Sequence, residues 1–64
     1  MSKQADKEVD GQTHHSNQSV AELAQVSTWT VRTWIRSGKL KAVKINGYWY
    51  TPHDELVRFM RERG

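Results

Sequence analysis

The chain has no cysteine, which excludes a disulfide framework and any thiolate metal site. It has no apolar run near the roughly 20 residues that span a bilayer. Its first residues, Met-Ser-Lys-Gln-Ala-Asp, lack the apolar core of a secretory signal. A soluble cytoplasmic protein is therefore the default expectation. Catalytic constellations are missing too. There is no phosphate-cradling Gly-rich loop and no Ser-His-Asp arrangement, and a chain of 64 residues has no room for both a core and an enclosed pocket. An enzyme is not expected, nor is a cofactor, a small-molecule ligand or a metal. His14 and His15 are adjacent and point apart in any regular structure, and a metal needs more ligands than their surroundings offer.

The last absence is one of sign. From Ser27 to Tyr50 there are five basic residues, Arg32, Arg36, Lys39, Lys41 and Lys44, and no acid. The whole chain carries only +3, so the distribution is more informative than the total. A field of one sign over such a stretch favours a polyanionic partner.

Within that stretch, Ser27 to Leu40 reads as a helix. Ser27 is suited to cap it and Gly38 to close it. Val31, Trp34 and Ile35 recur at helical spacing on one face, while Arg32, Thr33 and Arg36 fall on the other, with Thr28 and Trp29 in the first turn. Ahead of it, Val20, Leu23 and Ala24 recur at i, i+3, i+4 and predict a first helix over about 18–25. Val26 and Ser27 form the break. Two short helices so joined match the helix-turn-helix unit, with small Ala21 where they cross. Gln25 stands where such units usually carry Gly, so it must take φ > 0 or the turn must shift.

After the second helix, Asn46-Gly47 between two strand-favouring runs is a strong hairpin signal. Strands are predicted at about 42–45 and 48–51, pairing Ile45 with Tyr48 and Val43 with Tyr50. Val43 and Ile45 argue for burial of one face and Trp49 for the other, which a bulge or a two-sided ribbon would reconcile. Thr51-Pro52-His53-Asp54 then predicts a third helix, with Thr51 as cap, Pro52 at the first helical position and a stripe of Leu56, Phe59 and Met60. Residues 1–17 are polar, with only Ala5 and Val9 to contribute to a core, and are expected to be a disordered tail. The expected architecture is α+β: a small winged helix-turn-helix DNA-binding domain over 18–64.

In such a domain the second helix enters the major groove and the hairpin lies along a flanking groove. The candidate DNA-binding residues are Thr28, Trp29, Arg32, Thr33 and Arg36 on the helix, and Lys44, Asn46, Gly47 and Tyr48 on the wing. Arg32 and Arg36 can bind guanine bidentately or grip phosphate. The two threonines suit phosphates or thymine methyls. Trp29 can pack on the wing, contact thymine, meet a neighbouring protomer or fold back onto the domain.

The segments Ser19-Val-Ala-Glu-Leu-Ala-Gln-Val-Ser27 and Thr30-Val-Arg-Thr-Trp-Ile-Arg-Ser-Gly-Lys-Leu40, the wing Ala42–Tyr50 and Pro52-His-Asp-Glu-Leu56 resemble small winged helix-turn-helix proteins of the MerR-like superfamily, especially phage and mobile-element excisionases. The resemblance implies a recombination directionality factor. Such a protein binds repeated sites in double-stranded DNA beside an attachment site, with neighbouring copies of itself. It bends the DNA and directs a tyrosine integrase toward excision. Transcription regulators share the pattern, and a module whose basic face binds an acidic protein partner is the alternative of another class. The family often has Arg where Tyr48 and Tyr50 stand here, which implies a wing that holds phosphates less strongly.

Overall fold

The computed structural model describes residues 6–63; Met1 to Ala5 and Gly64 lie outside the described residues. The elements in order are β1 (Lys7–Val9), β2 (Gln12–Ser16), α1 (Asn17–Ala24), α2 (Thr28–Arg36), β3 (Val43–Ile45), β4 (Tyr48–Pro52) and α3 (His53–Arg63). The expected plan is present: α1, a turn and α2, then the β3–β4 hairpin as a wing, then a closing helix.

Both helices of the helix-turn-helix start on a serine. The Ser16 hydroxyl accepts from the Ser19 N–H and the Ser27 hydroxyl from the Thr30 N–H, each at 3.2 Å. Both helices also end in the same way. In α1, Gln25 N–H donates to Glu22 O and Val26 N–H to Ala21 O; in α2, Gly38 N–H donates to Ile35 O and Lys39 N–H to Trp34 O. This double bond pattern needs a left-handed residue at its centre. Gly38 supplies it in α2 with φ +84°, and Gln25 supplies it in α1 with φ +60°. The turn has not shifted; Gln25 accepts the strained conformation.

The core is Val20, Ala21, Val31, Leu40 and Leu56, with Val26, Trp34, Ile35, Phe59 and Met60 packed around it. Trp34 meets Phe59 with ring centroids 4.7 Å apart, and the Arg63 guanidinium lies 5.1 Å from the Trp34 ring. One expected core residue is not there. Leu23 is 58% exposed, because α1 turns Val20, Ala21 and Ala24 inward. At 3.6 residues per turn, Leu23 then points about 100° away from the middle of that arc. The small residues on the inner face let α2 approach closely.

The expectation of a disordered tail over residues 1–17 is corrected for Lys7 to Ser16, which form a second hairpin. Asp10-Gly11, at φ +53° and +79°, makes the same kind of turn as Asn46-Gly47, at φ +51° and +85°. Strand β2 then pairs antiparallel with β4, with His14 opposite Pro52, His15 opposite Thr51 and Ser16 opposite Tyr50. The sheet order is β1-β2-β4-β3, so the domain begins well before residue 18. The segment is poor in apolar residues, and the hairpin is held mainly by polar contacts instead. One Asp6 carboxylate oxygen accepts from the Ser16 N–H and from the Ser19 hydroxyl, each at 2.8 Å. The other lies 3.3 Å from His15 Nδ1. His15 Nε2 in turn lies 3.0 Å from His53 Nδ1. These bonds, with the ladder itself, offset the cost of ordering that composition alone would leave unmet.

The same hairpin changes the start of α3. Thr51 is not its cap: it is a fully buried β4 residue whose hydroxyl has no hydrogen-bond partner among the described residues. Pro52 ends the strand instead of opening the helix. The free N–H of Asp54 is satisfied by the Gln12 side-chain oxygen at 3.0 Å, so a residue of β2 caps α3 across the sheet.

The wing has the expected register, Val43 with Tyr50, Lys44 with Trp49 and Ile45 with Tyr48. Which face is buried depends on position along the ribbon. Tyr50 and Thr51 are adjacent and face opposite ways, yet both are buried, because β2 extends the sheet at that level. Val43, opposite Tyr50 at the base, is nonetheless exposed, as are Trp49 and Tyr48 further along the ribbon. The wing is a two-sided ribbon, anchored at its base.

Candidate nucleic-acid interface

The outer face of α2 exists because its inner face is fully committed. Val31 is buried and Trp34 and Ile35 pack on the core. Residues 29, 32, 33 and 36 follow the i, i+3, i+4, i+7 rule and form a stripe on the other side. All four are exposed, Trp29 at 70%. Of the roles open to Trp29 from sequence, folding back onto the domain is removed by that exposure. Thr28 is half-buried in the first turn.

Thr33 is less free than its spacing suggested. Its hydroxyl donates to the Trp29 carbonyl at 3.0 Å, so toward DNA it offers its methyl group and its oxygen lone pairs rather than a proton. Arg32 and Arg36, one turn apart, form no ion pair among the described residues. They border a groove that runs between α2 and the wing and also meets Lys41, Val43 and Trp49.

On the wing, Lys44 is exposed and its ammonium lies 5.9 Å from the centre of the Trp49 ring, its partner across the ladder. Asn46, Gly47 and Tyr48 form the tip, with Tyr48 57% exposed. Of the candidates only Arg32 and Arg36 line the groove; Lys44, Asn46, Gly47 and Tyr48 lie outside its lining. Lys41 and Trp49 belong to that groove and were not among the residues singled out from sequence. Lys41 was visible in the acid-free run, but nothing in the sequence said that the linker would line the groove. For Trp49 the strand pattern signals only a competitor for burial.

Glu55 is the one carboxylate among the groove's lining residues, and it is 3.9 Å from Arg58. Asp6 belongs to the opposite edge of the sheet. Burial raises its pKa, but hydrogen bonds from the Ser16 N–H, the Ser19 hydroxyl and His15, with the charge of His15, outweigh that and hold it below the ordinary aspartate value. It stays ionised as the anchor of the N-terminal hairpin. No helix among the described residues is long and apolar enough to cross a membrane.

A helix-turn-helix with an acid-free outer helix and a cationic wing defines a winged helix-turn-helix DNA-binding protein. Comparison with protein-family models agrees. Residues 16–64 match the model of the helix-turn-helix domain family, and the chain belongs to that family. The match starts at Ser16, the cap of α1, so β1 and nearly all of β2 lie ahead of it. No curated protein and no solved structure matches the chain.

Proposed function

We propose that this protein is an architectural DNA-binding factor of the excisionase type. It acts by binding and carries out no chemistry of its own. It occupies repeated sites beside an attachment site, in contact with neighbouring copies, bends the DNA, and so directs a tyrosine integrase toward excision in the bacterial nucleoid. The observation that carries the reading is the presence of two exposed candidate surfaces in so small a domain: the stripe of Trp29, Arg32, Thr33 and Arg36 on α2, and the wing around Lys44, Asn46, Gly47 and Tyr48. A domain that engages two grooves of the duplex at once favours DNA whose path is curved around it. The likeness of Thr30-Val-Arg-Thr-Trp-Ile-Arg36 to excisionase recognition helices supports the choice of process.

Mapping bound sites across the host genome, with a bending assay on the recovered sites, tests it. Repeated sites clustered at a recombination junction, on DNA bent by the protein, are the expected result. Single sites in promoters would replace excision with transcription control. The absence of any duplex binding at low salt would leave only an acidic protein as the partner. On a recovered site, Arg32→Ala is expected to weaken binding by about 1–3 kcal/mol and relax one base preference if Arg32 reads guanine.

A further inference from the structure

Among the described residues the sheet ends in two bare edges. Its order is β1-β2-β4-β3, so β1 and β3 each have a neighbour on one side only. In a two-residue hairpin the residues that flank the turn bond to each other, and bonded and non-bonded pairs then alternate. The flanking pairs are Val9 with Gln12 and Ile45 with Tyr48. Glu8 and Lys44 come next, so their backbone N–H and C=O groups point away from the hairpins, toward the open edges. Both residues are exposed. Glu8 forms no ion pair among the described residues, and Lys44 is held over the Trp49 ring. An exposed valine stands beside each, Val9 next to Glu8 and Val43 next to Lys44. An open edge of this kind is a template for another strand.

We propose that the β1 edge of one copy of the chain pairs antiparallel with the β3 edge of the next, with Glu8 opposite Lys44 and Val9 opposite Val43. Charge selects this pairing over its rivals. Two β1 edges would set Glu8 against Glu8, and two β3 edges Lys44 against Lys44, and like charges directly opposite are destabilising. The ladder registers agree with the mixed pair. Glu8 pairs with Thr13, His15 with Thr51 and Trp49 with Lys44. Partners share a face, as do residues two apart, so Glu8 and Lys44 lie on one face of the sheet. Every neighbouring pair of strands is antiparallel, so β3 runs opposite to β1. A second copy therefore continues the sheet with its faces and its alternation intact, in the same orientation as the first. Such a head-to-tail contact adds copies in a row instead of closing a dimer. β1 lies ahead of the residues shared with the helix-turn-helix family, so the surface belongs to this chain's own N-terminal hairpin. Three residues a side make a weak contact, which becomes effective where copies are held at neighbouring sites. In purpose the inference rests on the proposed binding of copies side by side on DNA; its geometry does not.

The chain has no cysteine, so one introduced thiol reports one position. Val9→Cys and Val43→Cys chains are mixed in equal amounts at high concentration, without DNA, in a glutathione redox buffer. Opposite residues of a non-bonded pair have Cα atoms about 4.5 Å apart, within reach of a disulfide. Random collision gives as much mixed dimer as the two like dimers together, whereas edge pairing should give about fivefold more. Adding Glu8→Lys to the Val9→Cys chain should remove the excess, and adding Lys44→Glu to the Val43→Cys chain as well should restore it. Val57→Cys, exposed on α3, should give no excess with Val9→Cys. The wild type supplies a measurement that needs no variant to fold: its Glu8 and Lys44 amide resonances should move with protein concentration while those of α3 stay. A random yield from Val9→Cys and Val43→Cys, an excess of either like dimer, or Glu8 and Lys44 amides that do not move overturns the proposal and leaves the DNA-binding reading intact. A protein that shows the edge pairing and binds no duplex loses the proposed function and keeps the interface.

Discussion

Replacing Gln25 by glycine should stabilise the domain, and the reasoning can be followed atom by atom. Gln25 sits at φ +60°, ψ +46°, with its side chain exposed. A Cβ in that conformation crowds the following carbonyl, at a cost of about 1–2 kcal/mol. Glycine removes the crowding but loses more freedom on folding, which returns about 0.5–1 kcal/mol. The net gain is about 0.5–1 kcal/mol, and for a domain of this size that raises Tm by about 2–8 °C. The molecule contains its own control. The same double hydrogen-bond pattern closes α2, where Gly38 already holds φ +84°; Gly38→Ala should therefore lower stability by about 1 kcal/mol. Thermal unfolding followed by circular dichroism measures both. DNA affinity of Gln25→Gly should not change, because residue 25 lies outside the α2 stripe. An unchanged or lowered Tm in Gln25→Gly, with Gly38→Ala destabilised as expected, would refute the claim that the helix-turn-helix turn is strained at Gln25.

Three further outcomes follow from the packing and from the second hairpin. Asp6 has a depressed pKa in the folded state, so its contribution is present above the unfolded value and is lost as pH falls through the folded one. Acid titration of the wild type should lose stability below the ordinary aspartate range, and Asp6→Asn should remove that component; identical acid profiles would contradict it. Gln12→Ala deletes the acceptor for the Asp54 N–H and should cost about 0.5–2 kcal/mol in chemical denaturation, as for loss of a helix cap, with faster amide exchange in the first turn of α3. Trp34→Ala removes the ring that meets Phe59 and Arg63 and should cost about 3–5 kcal/mol, close to the stability of a domain this small, so that its circular dichroism is that of a largely unfolded chain. A folded Trp34→Ala variant would show that the contact with Phe59 is dispensable.

The elements read most directly from the sequence are those whose signals are local. Ser27 and Gly38 bracket α2, Val31, Trp34 and Ile35 give its buried face, and Asn46-Gly47 fixes the wing's register, because capping, periodicity and turn chemistry act within a few residues. The stripe of Trp29, Arg32, Thr33 and Arg36 follows from the same periodicity as the face opposite the core. Asp10-Gly11 carried an equally local hairpin signal, but the polar strands on either side of it obscured its meaning. Long-range pairing decided the rest. Only the ladder between β2 and β4 orders residues 7–16, places Gln12 over the start of α3 and buries Thr51 where a cap was expected. Leu23 could be assigned to solvent only once α2 had been placed against α1, since two small residues and Val20 compete with it for one narrow face. Trp49 and Lys41 meet Arg32 and Arg36 only because the wing folds back beside α2. Local hydrogen bonding and side-chain period are written in neighbouring residues; which strand finds which partner, and which surfaces then face each other, is settled by contacts far apart in the chain.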